Sequence, residues 1–287
     1  MFRHATNHLS IFGSIQVRLS SSHWFDCALT FVIGLFLGLL ATPFLWGTAS
    51  TAEQFYLGIL GNILAAFIVL PAFLVLNILE ARCSQIRKFF GIRSNGSFYI
   101  FVGHLNYPGL GAGVAGVEEL NEAHRLRSSL QNFVPGLGDA YFLRRLKLAD
   151  VEVEVIIANN QHDYVQYRHT SFITIGSGGS NGVSRMIEEQ LPARVDFAQH
   201  RIRIGNNREE NSPGRGLIVC KRDGLGNVWF YIAGQTEPDT AGSARFIREN
   251  WSLVSRKYPK TDFYYLLDTS HIGLRSLPTV IEDSAFR

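Results

Sequence analysis

The chain has 287 residues, of which 46% are hydrophobic and only 18% are charged. The charged share is below the roughly one quarter that is usual for soluble domains, and a net charge of +3 is too small to favour a nucleic acid partner. The three cysteines are far apart in the sequence, so neither a disulfide framework nor a zinc site is expected, and no cofactor or metal ion is predicted.

Two uncharged apolar stretches lie near the N-terminus, at residues 27–46 and 55–79. Each is long enough to cross a hydrocarbon core about 30 Å thick as a helix, at roughly 1.5 Å per residue. A pair of buried helices in a soluble protein is the alternative, but two long spans joined by a short turn favour a transmembrane hairpin. We therefore divide the chain into an N-terminal segment, a transmembrane hairpin, a basic linker and an α/β domain, at residues 1–24, 25–80, 81–96 and 97–287.

The orientation of this hairpin follows from its flanking charges. Arg3 and Arg18 precede the first span, the turn at 47–54 has no Lys or Arg, and four basic residues follow the second span, namely Arg82, Arg87, Lys88 and Arg93. Positive residues stay on the cytoplasmic side of a membrane. We therefore expect a multi-pass protein of the inner membrane with both termini in the cytoplasm and with the basic residues near anionic headgroups.

Small residues recur on one face of each span, at Gly34 and Gly38 in the first and at Gly58, Asn62 and Ala66 in the second. Small side chains let helices approach closely in lipid. The two helices of one hairpin could use these faces to pack on each other, or several hairpins could assemble into a homo-oligomer. A single hairpin is too small to enclose a pore, so any channel requires the oligomer.

The pattern changes after residue 96, where short apolar runs alternate with helical stretches. We predict strands at 97–103, 151–158, 171–177, 215–222, 227–234 and 262–269, and helices at 117–130, 138–149, 181–191 and 240–258. The alternation predicts a Rossmann-like α/β fold with a mostly parallel sheet, and the turn DGLG at 223–226 predicts one antiparallel hairpin. The polar, turn-rich segment 200–214 is expected to be an exposed loop.

Three of the predicted strands end in glycine-rich loops that lead into helices. Such loops gather at the carboxyl edge of an α/β sheet, where backbone N–H groups and helix N-termini favour anions. Plain tight turns are the alternative for any one loop. The predicted ligand-binding residues are Gly103, Gly109 and Gly111 in the first loop, Gly176, Ser177, Gly178, Gly179, Ser180 and Asn181 in the second, and Gly234, Thr236 and Thr240 in the third.

The second loop also fits the G-x-S-x-G nucleophile elbow of hydrolases, at residues 178–182. In that interpretation Ser180 is the nucleophile, Asp239 and His271 complete the triad, and Gly103-His104 belongs to an oxyanion loop. A nucleotide or NAD hydrolase is a further enzyme hypothesis. Its candidate carboxylates are Glu118, Glu119 and Glu237, for which a solvent-exposed helix or loop position is the alternative.

The whole chain resembles the membrane-anchored effectors of bacterial nucleotide-signalled antiphage defence. The resemblance lies in the architecture, a two-span hairpin followed by a Rossmann-like domain with several Gly/Ser/Asn loops, and it assigns no individual residue. The stretches FITIGSGGSN and GLIVCKRDGLGNVWFYIAGQTEPDTAGSARFI are similar to strand-loop-helix segments of bacterial sensor domains. It implies that a nucleotide binds the cytoplasmic domain and that the hairpins then act on the lipid bilayer. We therefore expect a sensor and effector of this class, with a membrane-tethered hydrolase as the alternative. A purely structural anchor is disfavoured, because a scaffold needs no anion-binding edge.

Overall fold

The computed structural model divides the chain into two compact units, Met1–Ile78 and Leu79–Arg287. The residues that it describes are 56, 58–61, 63, 67, 81, 84–93, 97–104, 115–131, 152–159, 164–196, 198–205, 208–211, 213–271 and 277–286. The first predicted span, most of the second and the predicted helix 138–149 therefore lie outside the described residues. Within the described part of the chain, no helix is long and apolar enough to cross a membrane.

The second unit contains ten strands and four α-helices among its described residues. The helices are α1 (84–90), α2 (Val117–Gln131), α3 (Gly182–Glu188) and α4 (Glu237–Lys257), with a short 3-10 helix at Val165–His169. The strands are β1 (Phe98–Gly103), β2 (Val153–Ala158), β3 (Phe172–Ile175), β4 (Ala193–Asp196), β5 (Arg201–Ile204), β6 (Arg208–Asn211), β7 (Arg215–Arg222), β8 (Val228–Gly234), β9 (Phe263–Asp268) and β10 (Thr279–Ala285).

The main sheet has seven strands in the order β10-β9-β7-β8-β3-β1-β2. The neighbours β2 and β1, β1 and β3, and β3 and β8 are parallel, whereas β7 is antiparallel to β8 and β9, and β10 is antiparallel to β9. Five strands therefore point in one direction and two in the other. This arrangement confirms the predicted α/β class, the mostly parallel sheet and the antiparallel hairpin, which is β7–β8.

The sheet is buried on both faces, as strands between helical layers must be. Successive side chains of β1 alternate, so that Phe98, Ile100 and Val102 belong to the cluster that includes apolar residues of α1, α2 and α4. Phe101 points to the opposite face, in a cluster that includes residues of α3 and of the smaller sheet. Helices α2 and α4 therefore share one face of the sheet, and α3 lies on the other.

The helix α1 is part of the hydrophobic core. Phe89 and Phe90 are almost fully buried, and their rings lie 5.2 and 5.0 Å from that of Phe230, in the central strand β8. Gly91, with φ of +69°, then lets the chain turn beside Ser171 and Val228, where a Cβ would overlap with both side chains. Residues 84–90, which the sequence analysis assigned to a linker, are thus a packed element of the α/β domain.

The segment 200–214 is not the exposed loop that its polar composition predicts. It contains β5 and β6, which form a three-stranded antiparallel sheet with β4. Ile202 and Ile204 alternate with arginines and are buried, while Arg203 pairs with Asp196 at 2.9 Å. In β5 apolar and charged residues alternate with period two, and the two outward residues are Arg201 and Arg203. The strand β10, beyond the predicted last strand, was also missed.

Candidate functional site

The carboxyl ends of β1, β3 and β8 meet at one edge of the main sheet. From β1 the chain passes through α2 to β2 on one side, and β3 then follows on the other side of β1. Ligands of open α/β sheets bind where the strand order reverses in this way, in the crevice outside the carboxyl ends. The residues that follow the strands here are His104, the loop 176–181, and Gln235 with Thr236.

Asn181 fixes the loop that follows β3. Its side-chain Nδ2 donates to the backbone carbonyls of Phe101, at 3.1 Å, and Ile175, at 3.0 Å, which belong to β1 and β3. Its Oδ1 accepts from the backbone N–H groups of Val183 and Ser184, as the N-cap of α3. The side chain is fully buried and uses both donor hydrogens and its acceptor within the protein. It therefore positions the loop, and it has no donor left for a ligand.

Most of the loop amides that the sequence analysis assigned to a phosphate also have partners in the protein. The N–H of Gly176 donates to the carbonyl of Ile232 at 2.8 Å, and those of Ser180 and Asn181 donate to the carbonyl of Ser177 at 3.0 and 2.9 Å. The N–H of Gly178 donates to Oε1 of Glu188 at 2.6 Å. Of the loop residues, Gly179 is the most exposed, so this loop can meet a ligand at its tip.

Close packing accounts for three of the predicted glycines. A Cβ at Gly103 would lie 2.6 Å from Oγ of Ser180, and a Cβ at Gly178 would overlap with the carboxylate of Glu188. A Cβ at Gly234 would overlap with Asp239 at the start of α4. Gly176 has φ of +109°, a conformation that favours glycine. Gly109 and Gly111 lie outside the described residues.

Thr236 and Thr240 lie at the start of α4. Thr236 is the N-cap, and its backbone N–H and hydroxyl both donate to Oδ2 of Asp239, at 3.1 and 2.7 Å, in a capping box. The hydroxyl of Thr240 donates to the carbonyl of Thr236 at 3.1 Å. Thr236 is exposed at the sheet edge, whereas Thr240 is buried.

The geometry around Ser180 differs from that of a nucleophile elbow. Its hydroxyl donates to the carbonyl of Ser177 at 3.3 Å, and no histidine of the described residues hydrogen-bonds to it. Asp239, the acid of the hypothetical triad, accepts hydrogen bonds from Thr236 and Thr269 instead. A serine nucleophile needs a base within hydrogen-bond reach, so the described residues lack the arrangement that this chemistry uses.

His104 is a buried histidine at the end of β1. It is 7% exposed, and neither Nδ1 nor Nε2 has a hydrogen-bond partner among the described residues, although its backbone N–H donates to the carbonyl of Ser180 at 2.8 Å. By alternation along the strand it follows Ile100 and Val102, on the face covered by α2 and α4. A buried polar group without a partner is costly, and such groups concentrate at functional sites. From the sequence, His104 is a candidate only for an oxyanion loop.

Glu119 and Glu237, where α2 and α4 begin, are close enough for the charge of one to affect the other. Oε1 of Glu237 accepts from the backbone N–H of Glu118 at 2.6 Å, and Glu119 is buried, with 7% of its surface exposed. Burial raises the pKa of Glu119 from its ordinary 4.5 to about 7, the charge of Glu237 raises it as well, and a hydrogen bond with Thr240 opposes both. Of the three predicted candidate carboxylates, Glu119 and Glu237 thus lie together, and the Glu118 side chain is exposed.

Glu122 offers a contrast one turn further along α2. It is 2% exposed, and its carboxylate contacts three guanidinium groups, those of Arg125 at 2.6 Å, Arg248 at 3.2 Å and Arg245 at 3.4 Å. Three cations compensate the buried charge of Glu122, whereas no cation of the described residues forms an ion pair with Glu119. Neighbouring buried acids on one helix therefore have opposite electrostatic surroundings.

No cluster of His, Cys, Asp and Glu suited to a metal ion occurs within the described ranges. Comparison of the chain with protein-family models, with curated proteins and with solved structures finds no match.

Proposed function

We propose that the α/β domain binds a nucleotide-type ligand that carries phosphate in the crevice between β1 and β3, as the sensor part of a membrane-anchored effector. His104 is the observation that carries this proposal. Its two ring nitrogens are buried and have no hydrogen-bond partner among the described residues, and it lies at the end of β1, the edge at which α/β proteins bind ligands. A phosphate oxygen would accept a hydrogen bond from this imidazole and would offset the free-energy penalty of burying a ring nitrogen without a hydrogen-bond partner.

The tip of the loop after β3 forms the second part of this site. Gly179 is exposed, and the loop around it is held by Asn181 and by the contact of Gly178 with Glu188. A rigid loop whose tip has no side chain allows a ligand to approach the backbone closely. The sequence predicts that all six residues 176–181 bind the ligand. The proposal assigns contact with the ligand only to the exposed tip of the loop, at Gly179.

The membrane part of the proposal depends on the sequence of residues 25–80. Its two uncharged spans, their basic flanks and the small-residue faces support a hairpin that oligomerises in the inner membrane. In the second span Tyr56 and Phe67 are helical, with 71% and 73% of their surface exposed, and Leu60 is exposed as well. Exposed apolar side chains on a helix suit lipid or a neighbouring helix better than water. Ligand binding would change how the domains associate, and the hairpins would respond.

Calorimetry with the full-length chain in detergent tests the ligand site. The probes are AMP, GMP, ADP-ribose and cyclic di-AMP, and the variants are His104→Ala and Gly179→Val. Because a hydrogen bond to a charged group contributes about 1.5–3 kcal/mol, we expect His104→Ala to weaken binding about 10- to 150-fold. Gly179→Val should abolish binding by filling the space at the loop tip. His124→Ala, in an exposed position of α2, is the matched control and should bind normally.

Absence of binding to all four probes by the wild-type chain would contradict the proposal of a nucleotide site. Equal affinities of His104→Ala and His124→Ala would remove its central residue. Ester hydrolysis that disappears in Ser180→Ala, without nucleotide binding, would instead favour the membrane-tethered esterase.

A further inference from the structure

We propose that Glu119 and Glu237 are the general acid and the general base of a hydrolytic reaction that cleaves the bond between the base and the ribose of the bound nucleotide. This inference rests on the proposed function, because it requires a nucleotide in the crevice. It adds an activity to the sensor and names the bond that would be broken.

Glu119 and Glu237 lie at the end of the sheet where the proposed ligand binds. Glu119 begins the buried stripe of α2 that continues through Ala123 and Leu126, so it lies over the sheet at the end where the parallel strands finish. His104 lies on the same face and at the same end. Glu237 is the first residue of α4, directly after the loop that follows β8. A ligand held by His104 would therefore lie at the same face and end of the sheet as the carboxyl pair.

The two carboxyl groups also have different surroundings. Glu237 accepts the N–H of Glu118 at the N-terminus of α2, a position that favours an anion, and no hydrogen bond from the described residues reaches its Oε2. Glu119 is buried, no cation of the described residues forms an ion pair with it, and burial and the charge of Glu237 raise its pKa to about 7. Two neighbouring carboxyl groups with such different surroundings suit the roles of an acid and a base.

The surroundings of Glu119 differ from those of Glu122, only one turn away on α2. Glu122 receives three guanidinium groups, from Arg125 of α2 and from Arg245 and Arg248 of α4, whereas no cation of the described residues forms an ion pair with Glu119. A structural role for Glu119 would be served as well by a cation partner or by an apolar residue, since an acid buried next to another acid costs stability. A carboxyl group whose pKa is raised to about 7 is instead suited to donate a proton near neutral pH.

The reaction balances with water as the only co-reactant. Glu237 takes a proton from a water molecule, whose oxygen forms the new bond to C1′ of the ribose. The bond from C1′ to the base nitrogen breaks, and the proton of Glu119 goes to the leaving base. A proton then returns from Glu237 to Glu119 through solvent, so that the products are the free base and a ribose phosphate.

The chemistry of the leaving group defines the substrate class. A purine or pyrimidine leaves C1′ as an anion unless it is protonated, so its departure needs a general acid. Nicotinamide in NAD already carries a positive charge and leaves as a neutral molecule. A site built around a protonated carboxyl group is therefore suited to purine or pyrimidine nucleotides.

The test measures release of free base by chromatography, with AMP, GMP, CMP and UMP as probes and the full-length chain in detergent. The variants are Glu119→Gln and Glu237→Gln, and Glu118→Gln is the control on the same helical turn. Glutamine has the shape of the protonated acid at position 119 and keeps an acceptor for the Glu118 N–H at position 237, so both variants should fold. General acid or base catalysis contributes about 100- to 10,000-fold, and we expect losses of that size in the two variants but not in the control.

Binding of the same probes is measured in parallel by calorimetry. Nucleotide binding without release of base by the wild-type chain would overturn this inference and leave the proposed function intact. Base release that persists in Glu119→Gln or Glu237→Gln would overturn the assignment of the two roles. Absence of both binding and release would contradict the proposed function itself.

Discussion

Glu237, the first residue of α4, accepts a hydrogen bond from the backbone N–H of Glu118, in the first turn of α2, at 2.6 Å. The first N–H groups of a helix have no partner within the helix. Here a side chain from a second helix fills that role, across 119 residues of sequence. The carboxylate of Glu237 also packs on Gly116, where a Cβ would lie 2.7 Å from its Oε1. The starts of the two helices are thereby held together at the proposed site.

The raised pKa of Glu119 predicts a pH-dependent stability. In the unfolded chain this carboxyl ionises near 4.5, whereas in the folded protein it keeps its proton up to about 7. The contribution of Glu119 to the free energy of unfolding is therefore fully present below pH 4.5 and is lost progressively as the pH rises to about 7. At about 1.4 kcal/mol per pH unit, the loss amounts to about 3 kcal/mol. Glu119→Gln, which cannot ionise, should lack this dependence.

Urea unfolding between pH 4 and pH 8, followed by tryptophan fluorescence, measures this difference. Glu119→Gln should unfold at increasingly higher urea than wild type as the pH is raised. Parallel curves for the two proteins at every pH would show that Glu119 is not protonated in the folded state.

The matching change at Glu122 should have the opposite effect. Glu122→Gln leaves Arg245 and Arg248, which are mostly buried, without the carboxylate that compensates them. Removal of one partner from a buried ion pair costs about 3–5 kcal/mol. Arg125 is exposed to solvent and adds little to this cost. We expect a loss of about 3 kcal/mol at pH 7 by the same urea measurement. A variant as stable as wild type would mean that the three arginines are adequately solvated.

Asn181→Ala should be among the most damaging single changes at the sheet edge. It removes two donors from the carbonyls of Phe101 and Ile175 and the cap from α3. Each buried group left without a partner costs about 1–3 kcal/mol, so the total is about 3 kcal/mol or more. Asn250→Ala is the control, because Asn250 donates only to the carbonyl of Phe246 one turn earlier in α4. It should cost less than about 1 kcal/mol.

Gly216 and Gly224 provide a pair of glycines with opposite surroundings. A Cβ at Gly216 would overlap with Oγ of Ser243 and lie 3.1 Å from the carbonyl of Asp239, whereas a Cβ at Gly224 would meet nothing within 4 Å. Overpacking costs about 1–3 kcal/mol, so Gly216→Ala should destabilise the protein by about 2 kcal/mol. Gly224→Ala should change stability by less than about 0.5 kcal/mol. Added Ser243→Ala should recover part of the loss, and its failure to do so would locate the strain in the backbone.

The proposed hairpin makes a topological prediction. In a chain whose Cys27, Cys83 and Cys220 are replaced by serine, Ser50→Cys should react with a membrane-impermeant maleimide in intact spheroplasts. Ser94→Cys should react only after permeabilisation. The reverse pattern would place the α/β domain outside and exclude a cytoplasmic ligand, and equal labelling of both in intact cells would argue against two spans.

The elements with strong periodicity were predictable, and the contacts between them were not. The helix predicted at 117–130 is Val117–Gln131, and the strand predicted at 215–222 is Arg215–Arg222. Apolar patterning decides such elements because it determines which face is buried. The segment 200–214 was misjudged because its outward positions are all polar, so that composition concealed the alternation of Ile202 and Ile204.

At the candidate site, the sequence indicated the loops that the sheet brings to one edge, but not the contacts that their residues make. Gly103, Gly178 and Gly234 are required by neighbours such as Ser180, Glu188 and Asp239, which only the folded arrangement brings close. The burial of the His104 ring and the proximity of Glu119 to Glu237 depend on contacts between residues far apart in the chain. No local sequence pattern predicts such contacts, although alternation along β1 does place His104 on the sheet face that α2 and α4 cover.

The burial of α1 has a mechanical consequence. A slack connection before the sheet would absorb any movement of the domain, but Phe89 and Phe90 hold residues 84–90 against Phe230, in the same strand whose other end leads to α4. The contact couples α1 rigidly to β8, so a displacement of that strand would move the helix with it.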